Sequence, residues 1–232
     1  MYLTVPAQIE PLERPRYGIV SAARHVRISP STLRSWVIGR PYQTSEGESY
    51  SYPLINRPVT EDSRLSFSNL VEAHVLRSLR TRHDVRMSAV REALAFAAER
   101  FRIKRLLLSD ELRTAAGRLF IERFGQVLDL SCSDQLAITE IFMGHLQRID
   151  RSIEGLPYRL FPVIASLGLS SQKIVAIDPS ISFGRPFIAG KGVRTATIVE
   201  RLDAQEPREA VAADYDLSDS EINAAILYER AA

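Results

Sequence analysis

The sequence predicts a mainly α-helical protein with small β-hairpins: an N-terminal helix-turn-helix, a helical middle segment carrying a β-hairpin, and a C-terminal winged helix-turn-helix. Three observations lead there. Apolar residues recur at helical spacing through most of the chain, as in Leu70, Val71, Val75, Leu76 and Leu79. Short helical patterns near both ends start at Ser, Thr or Pro, the residues that cap or open helices. Extended apolar segments occur only in short pairs around Gly-containing turns.

Residues 1–16 hold three prolines and no periodicity, which predicts an arm or linker. From Tyr17, apolar residues at Val20, Ala23, Val26 and Ile28, then at Leu33, Trp36 and Val37, predict two short helices that face each other across a tight turn. Ser29 suits the N-cap of the second helix, Pro30 its first position and Gly39 its end. Trp36 is read as core. Residues 40–64, rich in Ser, Tyr, Pro, Thr and Gly, predict a long loop or a wing.

Amphipathic helices follow over 66–82 and 88–104, each opening at a serine, the second carrying Val90, Leu94, Ala97 and Phe101. Leu119-Phe120-Ile121 and Val127-Leu128-Asp129-Leu130, separated by Phe124-Gly125-Gln126, predict the middle β-hairpin. A longer helix is expected over 134–151, then extended segments at 159–162 and 173–177 around a Gly/Ser-rich turn. The boundary between domains is placed at 167–172, giving units over 1–166 and 173–232. In the second, Thr195 is expected to cap a helix reaching about Ala204, Pro207 to open one through Ala213, and Ser218 with Glu221 to form a capping box for 219–229.

Composition excludes several classes. Hydrophobic content of 45% and charged content of 25% are those of an ordinary globular protein. No charge-free apolar run reaches the roughly 18–20 residues of a membrane span, and the start has neither a basic nor an apolar leader segment, so a cytoplasmic location is expected. A single cysteine, Cys132, allows neither an internal disulfide nor a multi-cysteine zinc site, and is read as a small core residue. Charge is unevenly spread: residues 1–105 carry 17 Arg and Lys against 10 Asp and Glu, residues 106–232 carry 13 against 18. The front half therefore suits phosphates and the back half a basic partner.

The C-terminal run from Ile177 carries Asp178-Pro179, Phe183-Gly184-Arg185-Pro186, Ile188, Gly190, the helical pattern of Ile198 to Leu202, Asp214-Tyr215-Asp216-Leu217-Ser218, and Ala224 to Tyr228. These residues resemble the family catalogued as domain of unknown function 433, a small winged helix-turn-helix found in bacterial antitoxins. With the N-terminal module and the helix beginning at Ser66-Phe67, the whole chain resembles a long VapB-type antitoxin of a type II toxin–antitoxin pair. The resemblance implies an antitoxin that binds and neutralises a PIN-type ribonuclease toxin (VapC-type). It also implies a protein that regulates its own operon by binding operator DNA as a homodimer or higher oligomer. The N-terminal pattern resembles regulators of the MerR type as well, which leaves a DNA-binding regulator with no toxin partner as the alternative. Where the antitoxin domain usually reads Gly-Thr-Arg-Ile-Pro, this chain has Gly190-Lys191-Gly192-Val193-Arg194.

For DNA recognition the candidates are Ser31, Thr32, Arg34 and Ser35, because the first turns of a second helix meet base edges, where Arg pairs with guanine and Ser or Thr adapts. Arg27 and Arg40 are assigned to phosphates, which fix register without reading sequence. For the toxin the candidates are Arg185, Lys191, Arg194, Glu200 and Asp203, the acidic pair belonging to a run completed by Glu206, Glu209, Asp214, Asp216, Asp219 and Glu221. The helices at 66–82 and 134–151 are the expected dimer contact. Histidines 25, 74, 83 and 145 have no metal-ligand spacing, Glu72 and His74 do not face each other, and no phosphate loop or nucleophile elbow occurs. Neither a catalytic residue nor a metal or cofactor is expected.

Overall fold

The structure, a computed structural model, describes residues 10–45, 47–58, 62–79, 87–127, 132–164 and 172–230. The element order is α1 (Glu10–Glu13), α2 (Ile19–Val26), α3 (Pro30–Val37), β1 (Arg40–Thr44), β2 (Gly47–Ser51), α4 (Phe67–Ser78), α5 (Met87–Phe101), α6 (Ala115–Val127), α7 (Cys132–Leu146), β3 (Ile149–Arg151), β4 (Pro157–Leu160), β5 (Val175–Ala176), β6 (Phe187–Ile188), α8 (Thr195–Asp203), α9 (Arg208–Tyr215) and α10 (Asp219–Arg230). The fold is mainly helical, with strands paired only as short antiparallel hairpins: β1 with β2, β3 with β4 and β5 with β6.

Side-chain caps set the starts of α3, α4 and α10. Ser29 Oγ accepts from Thr32 N at 3.2 Å with Pro30 at the first position of α3. Ser66 and Asn69 exchange side-chain to backbone bonds at the start of α4. At α10, Glu221 N donates to Ser218 Oγ while Ser218 N donates to Glu221 Oε2, the expected capping box. Thr195, by contrast, does not cap α8. Arg194 holds the N-cap position, and the Thr195 hydroxyl donates instead to Glu229 Oε1, across the domain.

α4 is the centre of the larger core. Its residues are buried on every side, and α1, α2, the Leu106–Leu108 turn and α7 pack around it. It therefore has no face left for a second copy, which removes it from the expected dimer contact. The same burial separates two polar neighbours in sequence. Glu72 meets Arg105 Nη2 at 2.9 Å and Asn69 Nδ2 at 3.0 Å, and burial pushes its carboxyl pKa up. His74 points to His145, with ring centroids 4.9 Å apart.

The expected hairpin over 119–130 is not formed. Residues Ala115–Val127 are helical, and the remaining positions, 128–130, lie outside the described residues. Phe120 and Phe124 sit one helical turn apart with stacked rings 5.8 Å between centroids, and Phe120 also meets Phe142 of α7 at 5.6 Å. Gly125 serves close helix contact, not a turn: a Cβ there would come within 2.5 Å of the Gln135 side chain. α7 also stops at Leu146, short of the expected 151. Arg148 turns the chain by donating to the carbonyls of Phe161 at 2.8 Å and Pro162 at 3.2 Å, and Ile149–Arg151 becomes a strand against β4.

A second core is built by α8, α9 and α10 over Val175 and Ile188, through Ile198, Val211, Ile222 and Tyr228. The extended pair around the Gly-Arg-Pro turn is present, with Val175 opposite Ile188 and Ala176 opposite Phe187. Leu160 and Ile177 exchange backbone bonds at 2.9 and 2.8 Å, which joins the β3–β4 hairpin to this end of the chain. Several sequence expectations fall outside the described residues: most of the arm at 1–16, the 80–82 end of the α4 helix, His83, most of the 167–172 boundary and the Cys132 side chain. Among the described residues no helix is long and apolar enough to cross a membrane.

Candidate nucleic-acid interface

α2 and α3 form the expected helix-turn-helix. Ala22, Ala23, Val26, Leu33, Trp36 and Val37 are buried between them and α4. Trp36 is 2% exposed and belongs to the core. The turn between the helices passes through Arg27 in the left-handed region, φ 57°, closed by Ile28 N on Ala23 O at 3.1 Å.

The outer face of α3 begins with Ser31 and continues to Arg34, both exposed. Thr32 and Ser35 are half-buried and spend their hydroxyls locally. Ser29 Oγ donates to Thr32 Oγ1 at 2.8 Å, and Ser35 Oγ donates to the Thr32 carbonyl at 2.7 Å. Ser31 and Arg34 are the exposed pair, with Ser31 Oγ 3.0 Å from Ser29 Oγ, whereas Ser35 supports the helix.

Residues 40–51 are a wing: β1 and β2 pair from Arg40 opposite Ser51 to Thr44 opposite Gly47. Gly39 makes the junction with α3. It sits at φ 89°, and a Cβ would fall 2.4 Å from the Ser51 carbonyl oxygen. The Tyr50 hydroxyl donates to Ile38 O at 2.9 Å, and the amides of Leu54 and Ile55 both donate to Trp36 O. Hydrogen bonds thus join the helix to the wing, and the pair carries Arg34 and Arg40, with Tyr42 and Tyr50 exposed on the wing and Tyr52 exposed just after it. The sequence signal for these tyrosines was the Tyr-rich composition of 40–64, which marks a wing but not which rings face outward.

Arg27 takes a different place from the one its sequence position suggests. Its guanidinium lies 4.8 Å over the Tyr228 ring, and Nη2 donates to the Tyr228 carbonyl at 2.6 Å. Arg24 beside it reaches Glu229 at 2.6 Å. His25 Nδ1 meets the Tyr228 hydroxyl at 2.6 Å, and burial holds the His25 pKa down at about 4, helped by Arg24 and Arg27. Arg24, His25 and Arg27, at the end of α2, are therefore all bound to the last turns of α10.

In the C-terminal module the candidates do not converge. Arg185 is exposed in the turn before β6, Lys191 pairs with Asp216 at 2.5 Å, and Arg194 is half-buried at the start of α8. Asp203 pairs with Arg230 at 2.9 Å, and Glu200 is exposed on α8. Much of the acidic run is already matched internally: Glu206 and Asp214 with Arg201, and Asp219 with Arg208. α10, the third helix of this module, opens with Asp219, Ser220 and Glu221, a start that repels phosphates.

Residues 175–228 match the family described as protein of unknown function (DUF433). They form a DUF433 domain. Over 227 residues, 91% of this chain and 92% of the relative, the sequence is 26% identical to a Mycobacterium tuberculosis protein designated antitoxin VapB45. Together the two matches make the chain similar to a VapB-type antitoxin that ends in a DUF433 domain. The X-ray crystal structure of Rv2018 from Mycobacterium tuberculosis has the same fold, with a TM-score of 0.66 at 22% identity over 93% of this chain and 99% of that one. The DUF433 domain and the N-terminal helix-turn-helix meet through α10 and α2, so the clamp at Tyr228 joins the family domain to the rest of the chain.

Proposed function

We propose that this protein is an antitoxin that binds and neutralises a PIN-type ribonuclease toxin and represses its own operon through the N-terminal helix-turn-helix. The observation that supports the DNA half is the hydrogen-bonded junction of α3 with the β1–β2 wing, on which Ser31, Arg34 and Arg40 are all exposed. A capped helix that enters the major groove needs an accessible outer face, and on α3 Ser31 and Arg34 are exposed. The N-terminal module is the DNA reader in this proposal, because α10, the corresponding helix of the DUF433 domain, starts acidic and is engaged with α2 at its far end. Likeness to the protein designated VapB45 along nearly the whole chain supports the toxin half. A dimer bound to inverted half-sites is expected, spaced by about one 34–36 Å turn of DNA or a multiple of it.

The test is co-expression with the adjacent genes, capture of the bound protein, and assay of its ribonuclease activity with and without this chain. A captured ribonuclease that falls silent on rebinding supports the reading. No captured ribonuclease, with operator binding intact, favours a stand-alone regulator. One observation favours that second reading: an open, largely apolar cavity of about 770 Å³ between α6 and α7, lined by Leu112, Ile121, Leu136, Phe142 and Met143 with Arg118 at its edge, has the size of a small-molecule site.

A further inference from the structure

The loop that links β5 to β6 holds Ser182, Phe183 and Gly184 at φ 49°, 56° and 74°, three consecutive residues in the left-handed region. Only glycine adopts that region freely, and two of the three carry side chains. Phe183 is also 89% exposed, so its ring gives the fold nothing in return for the strained backbone. Such a conformation persists only where its surroundings impose it, and here they do. The Tyr17 hydroxyl, from the N-terminal module, donates to Gly184 O at 2.9 Å, and a Cβ at Gly184 would fall 2.4 Å from that hydroxyl. Arg16 Nη1 donates to Pro179 O at 2.7 Å, and Ser182 Oγ donates to Gly192 O at 3.3 Å. The buried Asp178 carboxylate accepts from Ser180 N at 2.9 Å and from Arg159 at 3.1 Å. Two residues beyond the ring, Arg185 is exposed, and its guanidinium makes no ion pair or hydrogen bond among the described residues.

We infer that this fixed left-handed turn presents Phe183 and Arg185 as the anchor for a protein partner whose docking site is an apolar cleft edged by carboxylates; the inference rests on the antitoxin reading and names the toxin as that partner. An aromatic ring and an arginine are the side chains that carry most interface energy. A turn already rigid loses little freedom on docking. Arg185 is one free guanidinium beside one ring, whereas a nucleic acid backbone rewards a row of cations. The acidic faces of α8 to α10 are largely neutralised by their own arginines, whereas the Arg185 guanidinium in this turn has no such partner among the described residues.

The experiment uses the full chain and the ribonuclease encoded beside it, purified alone, with affinity measured by calorimetry. Phe183→Gly is expected to leave Tm unchanged or raise it, since glycine suits the backbone there, and to weaken binding at least tenfold. Arg185→Ala is expected to weaken it similarly, and Phe183→Tyr to keep most of the affinity. If Phe183→Gly and Arg185→Ala both bind within twofold of the natural chain, the turn is not the anchor, though the antitoxin reading stands. If the natural chain itself fails to bind the ribonuclease, the reading and this assignment fall together. Loss of operator binding in Phe183→Gly with ribonuclease binding unchanged would make the turn a nucleic-acid contact and overturn the proposal.

Discussion

The Tyr228 hydroxyl lies 2.6 Å from Nδ1 of His25, and the two rings are nearly parallel at 12°. This contact joins residues 203 positions apart and ties α10 to α2, the first helix of the N-terminal helix-turn-helix. Tyr228 is 1% exposed and burial pushes its hydroxyl pKa up, so the phenol stays neutral and available as a hydrogen-bond partner. Arg24 and Arg27 tie α10 to the end of α2 beside this point.

Tyr228→Phe should destabilise the protein by about 1–3 kcal/mol, because it leaves a buried imidazole nitrogen without its partner. For a chain of this size that lowers Tm by roughly 2–4 °C per kcal/mol. Thermal melting of the variant checks it. An unchanged Tm would show that the clamp does not hold the two modules together.

Acidification should weaken the fold. His25 and His145 are held at about 4 and His74 well below its ordinary value, burial being the main cause in each. Arg24 and Arg27 add to it at His25, and Arg77 and Arg148 at the other two. Since the folded pKa lies below the unfolded one, the unfolded chain binds more protons between about pH 6.5 and 4. Stability is therefore complete above pH 6.5 and lost as the pH falls through that window, on the order of 3 kcal/mol each for His25 and His145 by pH 4, with His74 acting in the same direction. Urea unfolding at pH 7.5, 6 and 5 measures it, and a flat profile would refute the assignment.

Gly39→Ala should cost about 2–4 kcal/mol, combining left-handed strain with a methyl group pressed on the Ser51 carbonyl. It should also turn the wing away from α3. The expected result is a lower Tm together with weakened operator binding in the variant that remains folded at low temperature.

Arg34→Ala should reduce operator affinity tenfold or more, about 1–3 kcal/mol, and relax preference at one base pair, while leaving ribonuclease binding and Tm unchanged. Arg40→Ala should weaken all DNA sequences alike and lower the salt dependence by about one unit of slope. Gel-shift titrations on the operator and on scrambled DNA at two salt concentrations separate the two. Equal loss on every sequence from Arg34→Ala would move the reading helix elsewhere.

Most of the local architecture was legible in the sequence because it is local chemistry. Ser29-Pro30 and Ser218 with Glu221 cap the helices that follow them, since the cap bonds reach only two or three residues along the chain. The helix-turn-helix at Tyr17 to Gly39 and the three helices of the C-terminal module rest on such signals. The segment at 119–130 misled because Leu119-Phe120-Ile121 and a glycine fit a strand and turn as well as a helix. Contact of Phe120 and Phe124 with each other and with Phe142 decided for the helix.

By itself the sequence determined where helices begin, which of their faces are apolar, and that the front half is basic. Only the tertiary structure decided what those faces meet. It took Arg27 from the surface and set it over Tyr228, matched the acidic helices to their own arginines, and locked Phe183 outward through Tyr17. Each of these depends on groups far apart in the chain, and no local propensity encodes a hydrogen bond that closes only when two cores have packed.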